Sequence, residues 1–263
     1  MNTETQKNRT ALVMMAHPDD AEIFCGGTLI RLAELGWQVH LATAARGDCG
    51  SMDLSREEIA RIRYDEGVAA AKSIGGTYHC LGLSDLNVIF DANSNRLVID
   101  LFRQVNPSLV ITHPRNDYML DHEQTHLLAR SACFAYSVPN ASELPLLAGA
   151  VTPYLYYADP LEGCDPYTGQ WVEPSVLIDI SQQIQAKSDM LACHASQREW
   201  LREHHGMDHY IHSMQHHGQI RGKLAGCAYA EAFVQHRGHP YPQDDLLSEL
   251  LGGIHTTDTG EKA

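Results

Sequence analysis

The sequence lacks any uninterrupted apolar stretch approaching the ~20 residues needed to span a bilayer, so a membrane-embedded chain is not expected. Its first ten residues, MNTETQKNRT, are polar and contain nothing like the apolar core of a secretory signal. No two cysteines are spaced as CxxC. The seven (Cys25, Cys49, Cys80, Cys133, Cys164, Cys193 and Cys227) are scattered and odd in number, and are expected to be reduced, mostly buried small hydrophobes in a cytoplasmic protein. Basic residues are scarce: 19 Lys and Arg stand against 33 Asp and Glu, for a formal charge of -14. Phosphate backbones and anionic lipid surfaces would be repelled, so neither nucleic acid nor membrane is an expected partner. Also missing is a GxGxxG run after the first strand-like segment, which speaks against a dinucleotide-binding protein.

What is present suits a globular enzyme. The 263 residues are 44% hydrophobic and 20% charged, with length enough for one large domain. Thr10–Ala16 (TALVMMA) is a short, continuous apolar run, as for a strand buried on both faces. A helix is expected over 23–35, a strand over 37–45, a helix over 55–74 ending at Gly75-Gly76, and a strand over 77–81. A helix over 96–105, a buried strand over 108–112 and a helix over 121–136 follow. This alternation implies an α/β fold with a mostly parallel sheet flanked by helices. Strands over 151–159 and 174–180 precede a helical C-terminal portion over 182–235, broken near Gly206 and Gly218. With no repeat and no linker, residues 1–263 read as a single domain with a polar tail over 1–9 and a frayed tail over 252–263. The sixteen histidines stand out. Those of HHGMDHYIHSMQHHG are irregularly spaced and suggest a polar helix face more than a metal cluster.

Ligands in such sheets sit beyond the C-terminal ends of the strands. Two polar clusters lie there, at 17–22 and 113–126. In His17-Pro18-Asp19-Asp20-Ala21-Glu22, His17 and Asp20 can offer a nitrogen and an oxygen to one cation from a single turn, while Asp19 faces a metal-bound water. The plainer alternative is a capped helix start, with Glu22 favouring the dipole. His122, at the start of a helix on the same rim, is the best third ligand. Asp121 beside it, or Asp117, can fix the imidazole tautomer. A rival pattern overlaps: His122-Glu123-Gln124-Thr125-His126 fits HExxH, the zinc metalloprotease pair with Glu123 as base. Composition alone yields such a match about one time in twenty. Its further ligand would have to be Glu143, and it leaves HPDD unexplained, so it is taken as coincidental, with His126 a supporting or exposed residue.

AHPDDAE, the helix with GGTL, RGD-x-G, Arg63-x-x-Glu66 before AAAKSIGG, and NDYMLDH together resemble the LmbE/PIG-L family of deacetylases. The likeness is close over about 10–135 and looser in KSDMLACHASQ and RGKLAGCAYAEAF. It implies a Rossmann-like fold and a zinc-dependent hydrolase that removes an acetyl group from the nitrogen of an amino-sugar-like small molecule. Oligomeric state stays open, closed homo-oligomers being frequent in the family. By the resemblance, His17, Asp20 and His122 hold Zn2+ (another divalent ion also fits such a donor set) and Asp19 is the general base. The resemblance also makes Arg63 and Asp85, and more loosely Arg46, substrate contacts; His194 joins them from its place in HASQ, and Asp121 is expected to support the ligands. For Arg63, an ion pair with Glu66 is an equally weighted alternative.

One position departs from the family. Where His-Pro-Asp-His is frequent, this chain has Met119-Leu120-Asp121-His122, so the histidine that steadies the oxyanion is absent. Losing such a donor costs ~2.7–4 kcal/mol of transition-state stabilisation. Tyr118, His113 and His194 are the candidate substitutes, His194 preferred. The same gap keeps a non-catalytic sugar-binding relative as an alternative.

Overall fold

The computed structural model describes residues 8–147, 149–197 and 209–255. The apolar run at the start forms β1 (Thr10–Met15), every residue of which is buried. Its side chains alternate between two cores. Ala11, Val13 and Met15 join one, Leu12 and Met14 the other, which is the period-2 consequence of a strand covered on both faces. β1 pairs in parallel with β2 (Gln38–Ala45) and β4 (Leu109–Thr112), Val13 lying opposite Leu41 and Ile111. β3 (Thr77–Leu83) extends one side and β5 (Tyr154–Ala158) the other, both parallel. The sheet is completed by β6 (Val176–Asp179) and β7 (Ala230–Gln235), and its seven strands run β3-β2-β1-β4-β5-β7-β6. β7 is antiparallel to both β5 and β6. The expectation of a mostly parallel α/β sheet therefore holds.

Helices cover the two faces unequally. α1 (Asp20–Glu34), α2 (Arg56–Ser73), α5 (Ile184–Ala192) and α7 (Leu246–Leu251) contribute to the first core through Phe24, Leu29, Ala70, Met190 and Leu247. α3 (Ala92–Val105) and α4 (Leu120–Ala135) close the second with Val98, Phe102, Leu128 and Ala132. The remaining helix, α6 (His209–Ala225), precedes β7. Local chemistry sets several ends. Ser55 and Glu58 form a reciprocal capping box at α2. Asp91 caps α3 by accepting the Ser94 N–H at 2.8 Å, which starts that helix four residues before the expected Arg96.

The largest departure from the sequence reading is β7. Ala230–Gln235 (AEAFVQ) was expected to continue a helical portion, because Ala, Glu and Gln favour helices. It is instead the strand between β5 and β6, an assignment made by partners more than fifty residues away. Glu231 explains the cost of burying an acid there: it takes the Gly27 and Thr28 N–H groups at 2.8 and 2.7 Å and the Lys187 ammonium at 2.7 Å. Residues 252–255 are also less frayed than expected, since Ile254 and Leu177 exchange both backbone hydrogen bonds at 2.9 Å. The thiols differ too. All seven are free, but only Cys25 and Cys133 are buried and Cys49 is exposed. Among the described residues, no helix is long and apolar enough to cross a membrane.

Gly27 marks a close approach of α1 to the residue after β6. A Cβ there would lie 2.7 Å from Ile180 Cγ2. Alanine is favoured over glycine by about 1 kcal/mol in an open helix, yet Gly27→Ala is expected to destabilise the protein by about 1–3 kcal/mol, because α1 must lift from the sheet. The urea midpoint reads this, and a midpoint at or above wild type would show that the contact yields.

Candidate metal centre

The site forms where β1 and β4 end. After β1 the chain turns through His17-Pro18-Asp19, and Asp19 carries φ 106°, outside the comfortable range of a side-chain-bearing residue. The turn brings the His17 N–H onto Asp20 Oδ2 at 2.8 Å, so the backbone itself aims the carboxylate. His122, in the first turn of α4, arrives from the other strand end. His17 Nδ1, His122 Nε2 and Asp20 Oδ2 then form a triangle with edges of 3.3, 3.5 and 3.6 Å. Tetrahedral bonds of ~2.0–2.1 Å to a zinc ion separate neighbouring donors by about 3.4 Å. All three residues are buried, and the donor set fits one small divalent cation.

The far nitrogens each lie beside a carboxylate, as is common for metal-binding imidazoles, although the His122 Nδ1 contact lacks hydrogen-bond geometry. His17 Nε2 lies 3.0 Å from Asp121 Oδ2, and His122 Nδ1 lies 2.9 Å from Asp117 Oδ1. Asp121 thus steadies His17, not the adjacent His122, because neighbouring helical residues point about 100° apart. Asp121 is fixed in turn by the Leu86 and Val88 N–H groups at 2.6 and 3.2 Å. Burial disfavours a charged His17, yet Asp121 and Asp20 outweigh it and raise that imidazole to about 10. Burial likewise opposes charge on Asp20, but the surrounding imidazoles of His122 and His113 hold it well below the usual carboxylate range.

Asp19 stands apart from the triangle. Its Oδ2 receives Arg63 Nη2 at 3.2 Å and the Tyr210 hydroxyl at 2.5 Å, while Oδ1 has no hydrogen bond among the described residues. Burial raises the Asp19 pKa, with the Arg63 charge opposing. Arg63 also donates to the Pro18 carbonyl at 2.6 Å. Its alternative partner, Glu66, instead accepts from the Ser196 N–H and hydroxyl, both at 2.7 Å. Asp85 reaches Arg63 only at 4.0 Å, and its carboxylate is taken up by the Gly47 and Cys49 N–H groups at 2.8 and 3.0 Å. Arg46 pairs with Asp48 and Glu57 on the rim at 3.1 and 2.9 Å. His194 is fully buried, its Nε2 3.1 Å from Glu22 Oε1, and so faces α1. His113 is closed off as well: its Nε2 accepts the Ala16 N–H at 2.9 Å, and burial and the neighbouring His122 push it down to about 4.

The HExxH pair does not converge. His126 Nδ1 faces the His113 carbonyl at 3.0 Å, and Glu123 takes the Asp117 N–H and the Tyr167 hydroxyl at 3.0 and 2.9 Å. Burial holds His126 down to about 4. A histidine depressed in the folded state takes up protons only on unfolding, so stability is lost as pH falls from about 6.5 toward that value. His126→Gln is expected to lose less stability than wild type between pH 7 and pH 5, as read from urea midpoints; an identical loss would assign that limb to other groups. Tyr210 is the residue that sequence reasoning passed over. It lies 191 positions from Asp19 in a histidine-rich stretch, and no spacing rule connects the two.

Residues 12–133 match the profile of the PIG-L family, described as GlcNAc-PI de-N-acetylase. The chain is 25% identical over 205 residues to 4-oxalmesaconate hydratase of Pseudomonas putida, covering 75% of this chain and 76% of that protein. It is 25% identical over 207 residues to diacetylchitobiose deacetylase of Thermococcus kodakarensis, covering 72% and 70%. A probable N-acetyl-alpha-D-glucosaminyl L-malate deacetylase of Bacillus cereus is 29% identical over 208 residues, covering 74% and 86%. Among solved structures, the N,N'-diacetylchitobiose deacetylase from Pyrococcus horikoshii shares the fold with a TM-score of 0.74 at 23% identity, over 90% of this chain and 88% of that one.

Proposed function

Residues 12–133 belong to the PIG-L family, and from that premise we propose that the protein is a metal-dependent N-deacetylase of a small amino-sugar-like compound. The observation that carries this reading is the donor triangle of His17, Asp20 and His122 beside a carboxylate, Asp19, that is not part of it. Those three residues would hold the cation, zinc being the ion their spacing suits, and when bound it would lower the pKa of a water and polarise the amide carbonyl. Asp19 takes a proton from the attacking water on Oδ1, which has no hydrogen bond among the described residues, and returns it to the departing nitrogen, so acetate and a free amine leave and Asp19 is regenerated. Arg63 holds Asp19 in its strained turn through the Pro18 carbonyl and Oδ2. Asp121 and Asp117 keep His17 and His122 in the tautomers that present Nδ1 and Nε2.

One observation favours a second reading. The Pseudomonas putida relative is a hydratase, and adding water across a carbon–carbon double bond uses the same activated water and proton acceptor. A single experiment separates the two: metal content by mass spectrometry, with acetate release from diacetylchitobiose and water addition to 4-oxalmesaconate assayed on the same sample. About one zinc per chain with acetate release supports the deacetylase. Zinc with hydration and no acetate replaces it by the hydratase, and protein that takes up no divalent metal sinks both.

A further inference from the structure

Tyr210 reaches the site from the first turn of α6, and its hydroxyl lies 2.5 Å from Asp19 Oδ2. Burial and the Asp19 charge push the phenol well above its ordinary value, so it keeps its proton and donates. Several other polar groups nearby face elsewhere, although the buried Arg63 Nε has no hydrogen-bond partner among the described residues. Arg63 Nη2 is shared between Asp19 and the Pro18 carbonyl, His113 accepts a backbone N–H through Nε2, and His194 is sealed against Glu22. Met119 offers no polar hydrogen. Tyr118 is 60% exposed and sets its ring edge-on to His122.

We propose that the Tyr210 hydroxyl is a catalytic residue, the donor that stabilises the oxyanion formed as water adds to the substrate carbonyl; this rests on the deacetylase reading above. Hydrogen bonds to an ionised acceptor are about twice as strong as neutral ones, so the hydroxyl sits on Asp19 while Asp19 is charged. When water attacks, its oxygen bonds to the carbonyl carbon, the carbonyl π pair moves onto oxygen, and the water's proton passes to Asp19. Asp19 is then neutral and the new anion is the better acceptor, so the hydroxyl turns toward it. On collapse the carbon–oxygen double bond re-forms, the carbon–nitrogen bond breaks, nitrogen takes the proton from Asp19, and the hydroxyl returns. Tyr210 gains and loses nothing over the cycle, and it makes a contact that exists only while the anion does, as transition-state stabilisation requires.

The test uses calorimetric binding to the zinc-loaded full chain, with N-acetylglucosamine as the planar probe and the N-methylphosphonyl derivative of glucosamine as the tetrahedral one. Tyr210→Phe is expected to weaken the tetrahedral probe by about tenfold or more and to leave the planar probe within about twofold. Tyr118→Phe is expected to change neither. Equal weakening of both probes by Tyr210→Phe, or no weakening, would make Tyr210 a positioning residue for Asp19 and overturn the proposal; so would selective weakening by Tyr118→Phe alone. A wild-type protein that binds neither probe would bring down the deacetylase reading and this inference with it.

Discussion

Asp19→Asn is expected to lower turnover by about 10²–10⁴-fold while the protein keeps its metal and its fold. The carboxylate is not among the three donors that converge on one point, so an amide there removes no ligand. What it removes is the ability to accept a proton, since the amide oxygen is far too weak a base. Asparagine is also the substitution that the backbone tolerates best. The residue sits at φ 106°, and Asn is one of the few side chains that enter positive φ with little strain. Alanine would confuse loss of the base with loss of the turn. Arg63 keeps the Pro18 carbonyl at 2.6 Å and Asp85 at 4.0 Å, so its charge is not abandoned in the interior. The comparison is kcat on diacetylchitobiose together with zinc per chain. A variant that retains more than about a tenth of the wild-type rate would place the proton transfer on another group.

Asp159→Ala is expected to cost about 3–5 kcal/mol of folding stability. Arg221 is fully buried, and its guanidinium meets Asp159 through two hydrogen bonds of 2.6 and 2.7 Å. The same cation is stacked on Trp171 at 4.0 Å and donates to the Val172 carbonyl at 3.0 Å. Removing the carboxylate leaves a charge that can neither reach water nor lose its proton. His217, 3.2 Å from Asp159 in wild type, cannot take over, because an imidazole offers no negative charge to the guanidinium. For a chain of this size each kcal/mol moves the melting temperature by about 2–4 °C, so a fall on the order of 10 °C follows. Asp159→Leu combined with Arg221→Met, which removes both charges and keeps volume, is expected to recover most of it. A melting temperature unchanged in the single variant would mean that Arg221 finds another anion.

The first half of the molecule was legible because its signals are local. β1 and β4 are short apolar runs, and the donors His17 and Asp20 are three residues apart, so one turn brings them together. His122 was singled out by the rule that places ligands beyond strand ends, and the fold sets its Nε2 3.5 Å from Asp20 Oδ2. The parts that escaped depend on where distant elements meet. AEAFVQ has helix-forming residues and becomes a strand only because β5 and β6 flank it. Arg63 had two partners of equal standing in the sequence, and tertiary packing chose the Pro18 carbonyl and Asp19 over Glu66. Asp121 or Asp117 was expected beside the His122 imidazole; the direction of α4 sets Asp117 there and turns Asp121 to His17. His194, singled out for its place in HASQ, is turned to Glu22, a buried acid whose position no local pattern reveals.

The sheet has a seam. From β3 to β5 every neighbour is parallel, and beyond β5 every neighbour is antiparallel. The cation donors and Asp19 all come from chain that enters the sheet before the seam, within the stretch that matches the family, whereas Tyr210 comes from chain laid down after it. A change after residue 133 can therefore reach Asp19 through Tyr210 while the donor triangle keeps its own chain. A hydratase and several deacetylases at similar distance from this chain are the kind of divergence that such a layout allows.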